Sequence, residues 1–263
     1  MNKSEVLKAN WSSVYQQESY HRALESSGVI ASKVIEVAGE KIYFMRAPDG
    51  SWVAWELRDF DYPTTLPPDH RILTIDQIAD YDDIDWKTFS PNHDYATLVA
   101  TSDTRPSKRF ERGVRKAKTA LLSFHQADTD SQIKAALDFI SECGDCIDPI
   151  KDREAFVTLA IALLHEGVGQ IHIIRNSDTS YIQAASLSLT SPTQANLRWY
   201  RSTRTNNSGH LLANHLIHHH LQTRDPGSVV NLSGVVSPDT TDKKLVGSNE
   251  FKRQISNTTV VFG

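Results

Sequence analysis

The order of elements from Gly169 onward constrains this chain most. Gly169–Arg175, Tyr181–Leu189 and Ala195–Ser202 read as three successive strands, with Asn176-Ser177-Asp178-Thr179 and Ser191-Pro192-Thr193 as the turns between them. A helix over Ser208–Gln222 follows, then a strand over Ser228–Leu232 that ends at Gly234. The close of a helix over Glu250–Ile255 and a terminal strand over Thr258–Phe262 complete the run. Strands joined by short turns pair antiparallel, whereas helical crossovers return a strand in parallel. The order is therefore not doubly wound. It predicts an α+β chain with a mixed sheet flanked by helices.

Upstream, Thr129–Cys143 places Ile133, Ala136, Leu137 and Ile140 on one helical face. Asp152–Glu166 does the same with Phe156, Leu159, Ala160, Leu163 and Leu164, and Gly167 supplies a stop. Thr119–Phe124 reads as a strand between them and Arg105–Lys118. The chain begins with helical spacing at Val6, Leu7, Trp11, Val14 and Tyr15, broken at Gly28. Strands are expected over Lys33–Ala38, Lys41–Arg46 and Ser51–Leu57, with turns at Gly39-Glu40 and Ala47-Pro48-Asp49-Gly50. In the third, Trp52, Ala54 and Glu56 alternate with Val53, Trp55 and Leu57. Tyr62–Pro68 reads as a loop, Thr74 as the cap of a short helix, Tyr81–Asp85 as acidic surface and Tyr95–Ala100 as a strand.

Charge and cysteine content narrow the function classes. The balance of 28 basic and 32 acidic residues, net −4, excludes nucleic-acid binding by bulk positive charge and leaves room for a local patch. Arg105–Lys118 is such a patch: Arg105, Lys108, Arg109, Arg112, Arg115, Lys116 and Lys118 stand against Glu111 alone. With 2 cysteines there is no disulfide framework. Met1–Trp11 carries no signal-like apolar stretch and no window approaches a membrane span, so a cytoplasmic chain without membrane contact is expected.

Three segments carry a family likeness. Ser107-Lys108-Arg109-Phe110-Glu111-Arg112-Gly113-Val114-Arg115-Lys116-Ala117 is similar to the connector of FemAB-type transferases. Val229-Val230-Asn231-Leu232-Ser233-Gly234 resembles their strand ending in a small-residue turn, and Gly247-Ser248-Asn249-Glu250-Phe251-Lys252-Arg253 their Phe-Lys segment before the last strand. With the element order, these resemble the GNAT (acyl-CoA N-acyltransferase) superfamily, closest to FemAB-type transferases. The resemblance implies a GNAT-like domain over 105–263, preceded over 1–104 by a shortened second GNAT-like half. It also implies a cleft where strands splay near Leu197–Ser202 and Val229–Leu232, holding the donor thioester.

GNAT enzymes bind the cofactor pyrophosphate on a glycine-containing loop at a helix N-terminus, where backbone N–H groups and the helix dipole meet the anion. Arg204-Thr205-Asn206-Asn207-Ser208-Gly209 stands at the matching place, with Arg204, Asn207, Ser208 and Gly209 as cofactor-binding candidates. Asn207 replaces the first glycine, and the segment also reads as a polar loop capping a helix. By the same resemblance Lys252 lies near the transferred group, where it would stabilise an oxyanion; otherwise it is an exposed lysine beside Arg253. Tyr181 and Tyr200 are strand tyrosines able to donate a proton to a leaving thiolate, or core residues with satisfied hydroxyls.

Two motifs read as structural. Among His210, His215, His218, His219 and His220, only His220 falls on the apolar side of the helix, and no metal site is expected. Cys143-Gly144-Asp145-Cys146 follows a helix, the wrong end for thiolate stabilisation. The leading expectation is an acyltransferase carrying an acyl group from acyl-CoA to an amine. Alternatives are a FemAB-type transferase using aminoacyl-tRNA, held by Arg105, Lys108, Arg112 and Arg115, and a GNAT-fold binding module without catalysis.

Overall fold

The computed structural model describes residues 3–60, 66–90, 94–101, 103–119, 122–147, 149–176, 181–202, 217–223 and 228–263. Its helices are α1 (Lys3–Ala9), α2 (Glu18–Ser27), α3 (Lys108–Thr119), α4 (Asp130–Ser141), α5 (Arg153–His165), α6 (residues 217–223) and α7 (Lys243–Arg253). The strands are β1 (Ser32–Val37), β2 (Glu40–Arg46), β3 (Trp52–Leu57), β4 (His70–Asp80), β5 (Tyr95–Thr101), β6 (Leu122–Gln126), β7 (Gly169–Asn176), β8 (Ile182–Thr190), β9 (Gln194–Ser202), β10 (Val229–Gly234) and β11 (Thr258–Phe262).

Local chemistry sets the boundaries. Thr129 caps α4 by accepting from Gln132 N, and Asp152 caps α5 by accepting from Ala155 N. Gly28 ends α2 in the left-handed region at φ 64°. The β1–β2 turn uses Ala38 and Gly39, both at positive φ, one residue earlier than the expected Gly39-Glu40.

The strands form one 11-stranded sheet in the order β1-β2-β3-β4-β11-β5-β10-β9-β8-β7-β6. The β6–β9 stretch is an antiparallel meander, and β10 joins it in parallel along β9. The last strand, β11, inserts antiparallel between β4 and β5 and so ties the chain's end to its first hundred residues.

Two of the buried apolar clusters seat helices on the sheet. Helices α2, α4 and α5 bury Leu24, Leu137, Ile140, Phe156, Leu159 and Leu163 with Ile171, Leu187 and Trp199. Phe110 and Val114 of α3, and Ile217 and Leu221 of α6, pack with Leu98, Val230 and Leu232. Each fully buried side chain of this size contributes about 1.5–3 kcal/mol. Thr74 opens no helix: it lies inside β4, where Leu73 and Ile75 are buried at strand period. Pairing with β3 and β11 on both sides overrides the local capping signal. Tyr81 and Ile84 of the acidic segment are buried, while Asp82, Asp83 and Asp85 are exposed.

Candidate functional site: a split between two parallel strands

The β9–β10 ladder is short. It matches Val229 with Gln194, Val230 with Ala195 and Asn231 with Asn196, and then stops. Both strands continue, β9 to Ser202 and β10 to Gly234. Beyond the Asn pair no residue of β9 is matched with a residue of β10. Separate anchors hold the two edges. Arg201 of β9 donates to the Phe139 carbonyl and to Glu142 Oε2 (2.7 Å), at the end of α4. On the β10 side, Asn249 of α7 is buried and donates to Val236 O at 2.8 Å and to Tyr81 Oη at 3.1 Å.

Irregular backbone surrounds the split. Opposite β8, Leu187 faces Trp199 and Ser188 faces Leu197, so Arg198 is the extra residue of a β-bulge. β10 bulges between Asn231 and Gly234, and Ser233 there adopts φ 69°. Gly234 is tightly enclosed: a Cβ would meet Tyr95 Cε2 at 3.1 Å, so the ring would have to give way by a few tenths of an ångström. On β3 a bulge lies between Ala54 and Leu57, and Glu56 adopts φ 58°. Non-glycine residues in the left-handed region are strained by about 1–3 kcal/mol and gather at functional sites.

Glu56 does not share the face of Trp52 and Ala54, which packs with Val37, Ile42 and Phe44. The bulge turns it inward, and it is 1% exposed. Ser13 Oγ donates to Glu56 Oε2 at 3.1 Å and Asn231 Nδ2 to Glu56 Oε1 at 3.3 Å. Burial pushes its carboxyl up to about 7, opposed by hydrogen bonding from Ser13 and by the nearby amides of Gln194 and Asn231. Asn231 is completed by Ser233 N, which donates to Oδ1 at 2.8 Å, and by the Thr97 hydroxyl at 2.5 Å. Asn196 donates to Tyr15 Oη at 3.1 Å. A polar network thus crosses the sheet beneath the split. Sequence reading missed it; the signal was a lone carboxylate in the otherwise uncharged run Trp52-Val53-Ala54-Trp55-Glu56-Leu57.

Lys252, on α7, borders the β10 side. Its Nζ donates to the Gly234 carbonyl, and burial lowers its pKa to about 8. Arg253 beside it points elsewhere, pairing with Asp82 at 2.6 Å. Tyr200 is on β9 past the split, packed with Ile174, Ala184 and Phe124, and burial raises its pKa. Tyr181 is exposed. The loop candidates Arg204, Asn207, Ser208 and Gly209 lie outside the described residues.

Of the histidine motif, His210 and His215 lie outside the described residues. His220 is buried, with its Nε2 3.3 Å from Ser188 Oγ, and packs with His172 and His219. Among the described residues no group of three or more His, Cys, Asp or Glu side chains could hold a metal ion. Cys143 and Cys146 are free thiols, Cys143 just before a short 3-10 turn and Cys146 within it, and burial pushes Cys146 up to about 12. All seven cations of Arg105–Lys118 are exposed, around buried Phe110, Val114 and Ala117. Arg105, Lys108, Arg112 and Arg115 make no ion pair among the described residues, and the acidic segment instead engages Arg253 through Asp82. Among the described residues no helix is long and apolar enough to cross a membrane.

No known family model matches the sequence, and no curated protein matches it. Solved structures do match. FemX superposes with a TM-score of 0.64 at 10% identity, over 98% of this chain and 94% of that one. The C-terminal domain of a protein assigned as a lysylphosphatidylglycerol synthetase from Agrobacterium fabrum gives 0.53 at 12% identity, over 98% and 91%. L-PGS from Bacillus licheniformis gives 0.53 at 9%, over 91% and 85%. At such identities the likeness is one of fold. The observed fold is a GNAT-like mixed sheet flanked by helices, the class that the sequence resemblance implies.

Proposed function

We propose that this chain transfers an activated acyl group to an amine, with the donor carbonyl held in the split between β9 and β10. The observation that carries the reading is the end of their ladder at Asn196 and Asn231 while both strands run on. In this reading the β9 backbone N–H groups past that pair serve as preorganised donors for the oxyanion of a tetrahedral intermediate. Lys252, poised on Gly234 at the rim, adds positive charge to that oxyanion. The attacking amine must lose a proton. Glu56, with a pKa of about 7, has the proton affinity for that task at neutral pH, directly or through Ser13. The transfer activity of the GNAT superfamily and the fold of FemX support the same reading. Arg204, Asn207, Ser208 and Gly209 remain our assignment for a phosphate-bearing donor, and Tyr200 for the leaving group.

Two donors present such a carbonyl, acyl-CoA and aminoacyl-tRNA. The exposed cations before and along α3 favour tRNA, because Arg105, Lys108, Arg112 and Arg115 pair with no acid among the described residues. Thermal unfolding with acetyl-CoA and longer acyl-CoAs, alongside tRNA binding at 50 and 200 mM salt, tests both. A ligand at about 100 times its Kd adds about 2.7 kcal/mol. tRNA held by this stripe weakens steeply over that salt interval, and neutralising Arg112 and Arg115 lowers its affinity. If neither donor stabilises the chain or binds it, the transfer reading fails and a binding module replaces it.

A further inference from the structure

We propose that Arg198 anchors an oxyanion, a carboxylate or a phosphate, carried by the acceptor substrate. The inference rests on the transfer reading only in assigning the cavity to the acceptor. Arg198 is the bulged residue of β9, and a bulge re-aims its side chain. It lines a cavity of about 170 Å³ with Tyr15, Tyr20, Trp55, Tyr95 and Pro149, so that residues of the first hundred meet the β9 bulge. That volume equals roughly six waters at ~30 Å³ each, room for a carboxylate or phosphate on a short stem.

The charge in this cavity is unmatched. Arg198 lies near the ring of its neighbour Trp199, 5.7 Å from the centroid, and among the described residues it has no ion pair or hydrogen-bonded acid. Its electrostatic neighbours are Tyr15, Tyr95, Tyr20 and Glu56. Burial raises the three phenols, so they stay protonated and offer O–H donors but no negative charge. Glu56 is raised to about 7, and its two oxygens already accept from Ser13 and Asn231. Arg46, which also lines the cavity, sits over Trp52 at 5.1 Å and adds a second positive charge. Arg198 is exposed, so an anion can reach its guanidinium from solution. Its planar fork matches a carboxylate or phosphate in bidentate geometry, and the surrounding hydroxyls can donate to the same oxygens.

The test titrates the intact chain with inorganic phosphate and, separately, with acetate, following the thermal midpoint and tryptophan fluorescence. The wild-type chain should bind at least one of them, and Arg198→Gln should bind it roughly 10- to 100-fold more weakly. Arg198→Lys, which keeps the charge and loses the fork, should fall between. Binding of phosphate alone identifies a phosphoryl acceptor, and binding of acetate alone a carboxylate. Equal affinity in wild type and Arg198→Gln, or no binding of either anion by wild type, overturns the proposal. Should Arg198→Gln fail to fold, the Arg198 Nε resonance of the wild type, identified with Arg198→Lys, decides. A shift with either anion supports the anchor, and no shift overturns it. No acyl donor is present in these titrations. Anion binding through Arg198 without transfer retains the anchor and retires the transfer reading. Transfer with unchanged anion affinity in Arg198→Gln does the reverse.

Discussion

Asn196 and Asn231 form the last matched pair between β9 and β10, and both side-chain amides are engaged in hydrogen bonds at that point. Asn231 Oδ1 accepts from Ser233 N and Thr97 Oγ1, while its Nδ2 donates to Glu56. The pair is the hinge of the split and the centre of the network beneath it.

Replacing Asn231 by Leu leaves the Glu56 carboxyl, the Thr97 hydroxyl and the Ser233 N–H without that partner. Each unsatisfied buried group costs about 1–3 kcal/mol. Urea unfolding of Asn231→Leu should show a loss of roughly 2–4 kcal/mol. A change below about 0.5 kcal/mol, as at an ordinary surface position, would show that the network does not hold this junction.

Glu56 sets a pH dependence of known sign. Its folded pKa, about 7, exceeds its ordinary value of 4.5, so the fold favours the protonated form. Its contribution to stability is full below about pH 4.5, declines as pH rises toward 7, and is flat above that. Glu56→Gln removes the decline. Relative to wild type, the variant should gain on the order of 3 kcal/mol between pH 4.5 and pH 8, the equivalent of the shift at 1.36 kcal/mol per unit. A wild-type-minus-variant difference that is flat with pH would count against the buried charge.

His21 and His172 have the opposite effect. Burial lowers both to about 4, so each is neutral in the fold. The stability they contribute is full above pH 6.5 and lost as pH falls from 6.5 toward 4. His172→Phe keeps a ring against Phe124 and cannot protonate, so it should flatten the acid limb of a stability–pH curve. An unchanged acid limb would place the sensitivity elsewhere.

Turnover should report two groups. If Glu56 takes the proton and Lys252 acts as a cation, kcat/KM rises through about pH 7 and falls through about pH 8. Lys252→Met should lower kcat about 10²- to 10³-fold, the cost of one oxyanion donor, with little change in donor affinity. Lys252→Arg should move the alkaline limb upward. A Lys252→Met enzyme with wild-type kcat would remove the lysine from the reaction.

The parts of this molecule governed by local pattern were legible in the sequence. The meander from Gly169, helices α4 and α5, and Lys252 before the last strand follow from periodicity and motif. Non-local pairing was not legible. Thr74 carries a helix cap's chemistry and lies in a strand because β3 and β11 flank it. Glu56 alternates in step with Trp52 and Ala54 and leaves their face because a bulge breaks that alternation. Arg198 is likewise one residue out of step with β8, which puts it in the cavity. A one-residue bulge reverses the face of every following side chain, and no local pattern announces it.

Hydrogen exchange along β9 tests the transfer reading most directly. Backbone amides of residues 197–202, past the Asn196–Asn231 pair, should be less protected than those of residues 194–196 in the free chain. Saturation with acetyl-CoA or with aminoacylated tRNA should slow exchange in 197–202. Unchanged exchange there with both donors would contradict a donor site between β9 and β10.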